Sequence, residues 1–138
     1  MSNRSSNRWG SLGITLLDSL DTMLLFGLDE QYERARHWVL EKLPEKIRLG
    51  GSVPFFEVTI RGLGGLLGAH ALRPDGEMLA VAAQLGRALL PALSSSPTGI
   101  PLCGVHLQLR AVHGVACVCM FGQREERSDM RRALPETA

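Results

Sequence analysis

The chain has 138 residues and a formal net charge of +1, with 45% apolar, 21% charged and 5% aromatic residues. That balance suits one ordinary globular domain and argues against a disordered tail. It also removes the usual electrostatic case for a nucleic acid or an anionic membrane surface as partner. No clean apolar run reaches the roughly 20 residues needed to span a bilayer. The nearest, residues 12–28, is interrupted by Asp18 and Asp21. Fifteen glycines stand out in a chain with few strand signals.

Residues 1–8 are polar and carry no secretory signal pattern; Asn3-Arg4-Ser5 matches the N-glycosylation triplet. Residues 12–27 are apolar almost all round, which predicts a buried helix. Asp18, Asp21 and Thr22 share one side of it at helical spacing. An isolated buried carboxylate is costly, so either Asp18 or Asp21 caps a neighbouring helix or meets an arginine, or the stripe faces a polar cavity. Gly27 is placed to end this helix and Asp29 to cap the next. Tyr32, Ala35, Val39 and Leu43 recur at helical spacing on that second helix. Glu30 with Arg34 and Glu33 with His37 form i,i+4 pairs on its wet side. Pro44 marks its stop, His37 is a solvated surface residue, and Trp38 belongs to the core or its edge.

Gly50-Gly51-Ser52 forms a loop with Ser52 as a possible cap. A third helix is expected over residues 54–70, with Phe56, Ile60, Leu63, Leu66 and Leu67 on its apolar face. The opposite face carries Glu57, Arg61, Gly64, Gly65 and Gly68. Glu57 and Arg61 are an i,i+4 acid–base pair, and the glycines continue their stripe. Each glycine inside a helix costs about 1 kcal/mol relative to alanine, so something packs close there. Two readings stay open and are compatible: tight helix–helix contact, or a charged pair at the mouth of a cavity. Asp75 is a good cap for a fourth helix over residues 77–93, with Met78, Ala82, Leu85, Leu89 and Leu93 buried and Pro91 kinking or closing its end.

Residues 94–101 are a loop. Val105, Leu107, Leu109 and Ala111 then alternate with polar residues, a strand-like pattern. Residues 124–132 are a mixed charge run. The three cysteines, Cys103, Cys117 and Cys119, sit late, cannot pair completely and lack a Cys-x-x-Cys spacing. Cys117 and Cys119 with His106 and His113 match no standard zinc pattern. The organisation is two helix–loop–helix units followed by a stretch of different character, as in a helical array or an α/α barrel cut short.

Three segments then converge on one family. Gly13-Ile14-Thr15-Leu16-Leu17-Asp18-Ser19-Leu20-Asp21-Thr22 resembles a Gly-x-Thr-(Leu/Ile)-(Ile/Val)-Asp-(Ala/Ser)-Leu-Asp-Thr element of the class I α-mannosidases, glycoside hydrolase family 47. Phe56-Glu57-Val58-Thr59-Ile60-Arg61-Gly62-Leu63-Gly64-Gly65-Leu66-Leu67 resembles the family's Phe-Glu-Thr-Thr-Ile-Arg-x-Leu-Gly-Gly-Leu-Leu signature, departing at Val58 and Gly62. Leu89-Leu90-Pro91-Ala92-Leu93 and Thr98-Gly99-Ile100-Pro101 resemble its Leu-Leu-Pro-Ala-Phe and (Thr/Ser)-Gly-(Ile/Leu)-Pro elements. Order and spacing agree over residues 9–107, taken as a partial catalytic domain between a polar start (1–8) and a divergent tail (108–138).

The resemblance implies an all-α fold: an incomplete (α/α)7 barrel of about two helical hairpins, with a short strand-like or irregular C-terminal tail. It implies an inverting hydrolase of terminal α-1,2-linked mannose on N-glycans, with oligomannose glycoproteins as partners and calcium as the cofactor of the full-length family. Glu57 then matches an active-site glutamate proposed as the general acid. Arg61 matches a glycan-contacting arginine, and Asp18 a further acidic residue of the active-site region. The other catalytic carboxylates and the calcium-binding threonine have no counterpart in this chain, so a fragment inactive alone is expected and no metal ligand is assigned. A non-catalytic oligomannose-binding module of the degradation-enhancing type is the alternative reading, and a plain helical scaffold a third. The implied location is the lumen of the endoplasmic reticulum or Golgi, behind a membrane anchor in the full-length family, although no signal peptide or membrane span is read in this chain.

Overall fold

The computed structural model describes residues 11–116. The first helix is in two pieces, α1 (Ile14–Asp18) and α2 (Leu20–Leu25), and α3 (Asp29–Leu49) returns beside it. A short strand, β1 (Ser52–Pro54), leads into α4 (Phe55–Glu57), a π-helical segment (Val58–Leu63) and α5 (Gly64–Leu72). Then come α6 (Gly76–Leu89), the short α7 (Pro91–Ser94), and the strands β2 (Leu102–His106) and β3 (Ala111–Ala116). This is the expected all-α fragment with a short strand-like tail. Helices α1–α3 form one hairpin and α4–α6 the second, and α3 packs on α6.

Helical spacing selected much of the core of α3 and α6. Tyr32, Ala35, Val39, Leu43 and Ile47 of α3 face Met78, Ala82, Leu85 and Leu89 of α6, closed by Leu17, Leu20, Val58, Leu66 and Ala69. Gly27 does end the first helix. It adopts φ +66°, its N–H reaches Leu24 O, and Leu28 N–H reaches Met23 O, the paired bonds of a Schellman cap. Gly13 also sits at positive φ, and Trp38 packs where a side chain on it would stand.

Several expectations are corrected. The first helix is not buried all round: it breaks after Asp18, and Leu25 and Phe26 are 71% and 76% exposed. Leu28 rather than Asp29 occupies the cap position of α3, and Asp29 pairs with Arg73 instead. Glu33 also accepts from Arg73, and His37 meets Glu41. Pro44 does not stop α3, which runs to Leu49 because Leu43 and Ile47 on either side of it are both in the core. Ser52 is in a strand, not a cap. Phe56, Ile60 and Leu67 are exposed, and the buried side of their helix is Val58, Gly62, Gly65, Leu66 and Ala69. Leu93 is exposed too, because α6 ends before Pro91 and α7 restarts with that proline in its first turn.

The strand-like alternation resolves into a hairpin rather than one strand, with residues 107–110 as its turn. β2 pairs antiparallel with both β1 and β3, in the order β1-β2-β3. His113 lies over Gly104, and its Nε2 is hydrogen-bonded to the Ser52 hydroxyl, linking the outer strands across β2. Leu109 N–H donates to Nδ1 of His106. The expectations for the polar start, the glycosylation triplet, Cys117, Cys119 and the charge run fall outside the described residues.

Asp75 caps α6 as expected, accepting from Glu77 N–H at 2.9 Å and Met78 N–H at 3.2 Å. Its other oxygen takes Arg36 Nε at 2.5 Å, while Arg36 Nη2 reaches Glu77 at 2.6 Å, which ties α3 to the start of α6. Asp75 N–H in turn donates to Nδ1 of His70. The Arg36 guanidinium holds the Asp75 carboxyl below the usual carboxylate range, against desolvation and with help from the Met78 and Glu77 N–H groups. A carboxylate with a lowered folded-state pKa stabilises the fold above its unfolded value, 3.8 for Asp75, and that contribution fades as pH falls through the lowered value. Thermal unfolding between pH 7 and about 3 is therefore expected to show an acid-induced loss of stability that shrinks in Asp75→Asn.

Candidate active site

The three residues singled out from the sequence come together. Asp18 ends α1, Glu57 ends α4, and Arg61 lies in the π segment. Arg61 Nε donates to Glu57 Oε2 at 2.6 Å, and Arg61 Nη1 donates to Asp18 Oδ2 at 3.0 Å. One guanidinium thus bridges two carboxylates on two helices. Asp18 therefore meets an arginine, one of the readings left open for it. Asp21 instead accepts from the N–H and hydroxyl of Thr22.

The cluster is open to solvent: the side chains of Arg61, Asp18 and Glu57 are 46%, 44% and 32% exposed. Bonds from Glu57 first, and Asp18 second, raise the Arg61 pKa above its ordinary value. A guanidinium has five N–H groups, of which these bonds use two. The remaining edge is free to donate to hydroxyls or carbonyls of a ligand.

Sequence periodicity did not reveal the π segment. Gly64 N–H bonds to Thr59 O, five residues back, so the helix widens by one residue immediately after Glu57. Thr59 adds a hydroxyl bond to Phe55 O at 2.7 Å. Gly62 lies at the inner side of this wide turn, against Ile14, Leu85 and Val58. Departures of this kind recur at functional sites because they re-aim side chains without ending a helix. The one available signal was a glycine in the middle of an otherwise strong helical pattern.

The glycine stripe divides in two. Gly65 is buried where α5 crosses α1, and a side chain there would collide with the Leu17 carbonyl. Gly64 and Gly68 meet only ordinary contacts, Gly68 facing Asp21. Tight helix contact and an open charged face therefore coexist, on adjacent sides of one helix. No three His, Cys, Asp or Glu side chains converge among the described residues, and the two site carboxylates are engaged by Arg61. That donor set does not fit a calcium cage.

The model of glycosyl hydrolase family 47 matches residues 1–118. The chain belongs to this family. It is 41% identical over 111 residues to the human endoplasmic reticulum mannosyl-oligosaccharide 1,2-alpha-mannosidase, a match covering 80% of this chain and 16% of that protein. It is 42% identical over 108 residues to mannosyl-oligosaccharide 1,2-alpha-mannosidase MNS1 of Arabidopsis thaliana, covering 78% and 19%. It is 44% identical over 92 residues to mannosyl-oligosaccharide alpha-1,2-mannosidase IA of Spodoptera frugiperda, covering 67% and 13%. The chain thus spans less than a fifth of the length of these relatives.

Within this family-47 segment, the charged cluster is exposed while the Asp75 junction is half-buried. Exposed ion pairs contribute little to stability. Arg61→Met is expected to lower the thermal midpoint less than Asp75→Ala does, as read by circular dichroism at neutral pH. A larger drop in Arg61→Met would mark the cluster as structural rather than ligand-facing.

Proposed function

We propose that this chain is part of an inverting α-1,2-mannosidase acting on N-glycans, and that its own contribution is a general acid and a glycan clamp. Glu57 is the acid that protonates the leaving glycosidic oxygen. Arg61 donates its free edge to sugar hydroxyls, and Asp18 steadies the guanidinium from the other side. The observation that carries this reading is the Asp18–Arg61–Glu57 bridge on an open helix face, in a chain whose relatives are named as mannosidases. The substrate class follows from those relatives' names: mannosyl-oligosaccharides with terminal α-1,2 linkages. The first of the relatives named above supports the lumen of the endoplasmic reticulum as the place of action. No helix among the described residues is long and apolar enough to cross a membrane.

The same geometry argues that the chain alone does not hydrolyse. Inversion needs an acid and a base about 6.5–9.5 Å apart, with a water between base and sugar. Arg61 engages both Asp18 and Glu57, so Asp18 is committed to the guanidinium and no base is assigned within this chain. Calcium belongs to the proposal only for the larger protein, and no step is assigned to it here.

Binding and hydrolysis can be measured separately on the purified chain. Calorimetric titration with an oligomannose glycan is expected to give heat that Arg61→Met abolishes, with no free mannose released. No heat would remove the glycan-binding reading. Mannose release that Glu57→Gln abolishes would show instead that the chain is a complete catalyst.

A further inference from the structure

We infer that Gly65 is a positioning residue, whose missing side chain lets α1 approach closely enough for Asp18 to hold Arg61. The inference rests on the proposed role of Arg61, but its test does not depend on glycan binding. A Cβ built on Gly65 would stand 2.1 Å from Leu17 O, 2.8 Å from Leu17 C and 3.3 Å from Asp18 N. The obstacle is backbone, so no rotamer change relieves it. The neighbouring glycines of the stripe impose nothing similar. A Cβ on Gly64 comes no nearer than 3.5 Å to Thr59 O, and one on Gly68 no nearer than 3.6 Å to Asp21 Oδ2.

The contact lies one residue from Asp18 and four residues beyond Arg61 on the same helical run. An aspartate reaches only a short way from its backbone. Its bond to Arg61 Nη1, at 3.0 Å, therefore depends on how closely the two helices cross. Admitting a methyl group would move α1 away by about 1 Å, and a contact near 4 Å is no longer a hydrogen bond. Arg61 cannot simply follow, because its Nε is held by Glu57 from the preceding turn. The expected result is a selective one: the Asp18 arm opens while the Glu57 arm stays closed.

Nitrogen-15 NMR of the Arg61 side chain reads the two arms separately. The hindered Nη signals report the Asp18 bond, and the Nε–H signal reports the Glu57 bond. Gly65→Ala is expected to lose the hindered Nη signals and keep the Nε–H signal; Gly68→Ala is expected to keep both. Asp18→Glu placed on Gly65→Ala should bring the Nη signals back, a rescue that a general loss of stability would not give. Unchanged Nη signals in a folded Gly65→Ala would overturn the inference. If Gly65→Ala does not fold, Asp18→Glu in the native backbone carries the test: the crossing distance suits the shorter acid, so weakened Nη signals support the inference and undiminished ones defeat it. Absent oligomannose binding alongside the stated NMR pattern would instead count against the glycan reading and leave the positioning role standing.

Discussion

Where α5 passes α1, the backbone of Gly65 lies directly against the carbonyl of Leu17. Much of the rest follows from that approach. It sets the separation of the two helical hairpins on the side where the charged residues emerge. Asp18 leaves α1 next to the contact, and Arg61 leaves its helix one turn before it. The core holds the hairpins together by burying Leu17, Leu20, Val58, Leu66 and Ala69, but apolar burial is non-directional. A backbone contact without side chains is what turns general adhesion into a defined distance, and a charge-assisted hydrogen bond needs a defined distance.

A second junction operates at the other end of α5. Arg36 joins α3 to the cap of α6 through Asp75 and Glu77. Beside it, Arg73 lies over the Tyr32 ring and pairs with Asp29 and Glu33. Tyr32 is buried, its hydroxyl has no hydrogen-bond partner among the described residues, and desolvation raises its pKa. The two arginine clusters differ in kind. Arg36 and Arg73 tie α3 to the segment around the start of α6, whereas Arg61 bridges α1 and the π segment.

The exposed apolar residues fit the same picture. Leu25, Phe26, Phe56, Ile60, Leu67 and Leu90 lie outside the core of these two hairpins. The chain spans under a fifth of the length of the three relatives named above, and the described residues leave these helix faces uncovered. The periodic apolar pattern therefore overstates burial: it identifies residues suited to packing, not the surfaces that pack within this chain. Phe56, Ile60 and Leu67 fit a buried face by spacing, yet each is exposed. Of the glycines beside them, Gly65 makes the tight helix contact that was one of the two readings left open for the stripe.

Local chemistry was readable from the sequence by itself. Helical spacing located the core of α3 and α6, Gly27 ended the first helix, Asp75 capped α6, and the motif residues Asp18, Glu57 and Arg61 marked the candidate site. These features depend on neighbours within a few positions, where residue type restricts the backbone directly. Tertiary structure decided the rest. It carried α3 through Pro44, because burial of Leu43 and Ile47 outweighs one missing N–H. It widened the helix after Glu57, turned an apparent strand into a hairpin against β1, and chose Arg61 as the partner of Asp18. A pairing across 43 residues, the separation of Asp18 and Arg61, leaves no local periodicity. It arises only when the crossing at Gly65 brings the two helices within reach.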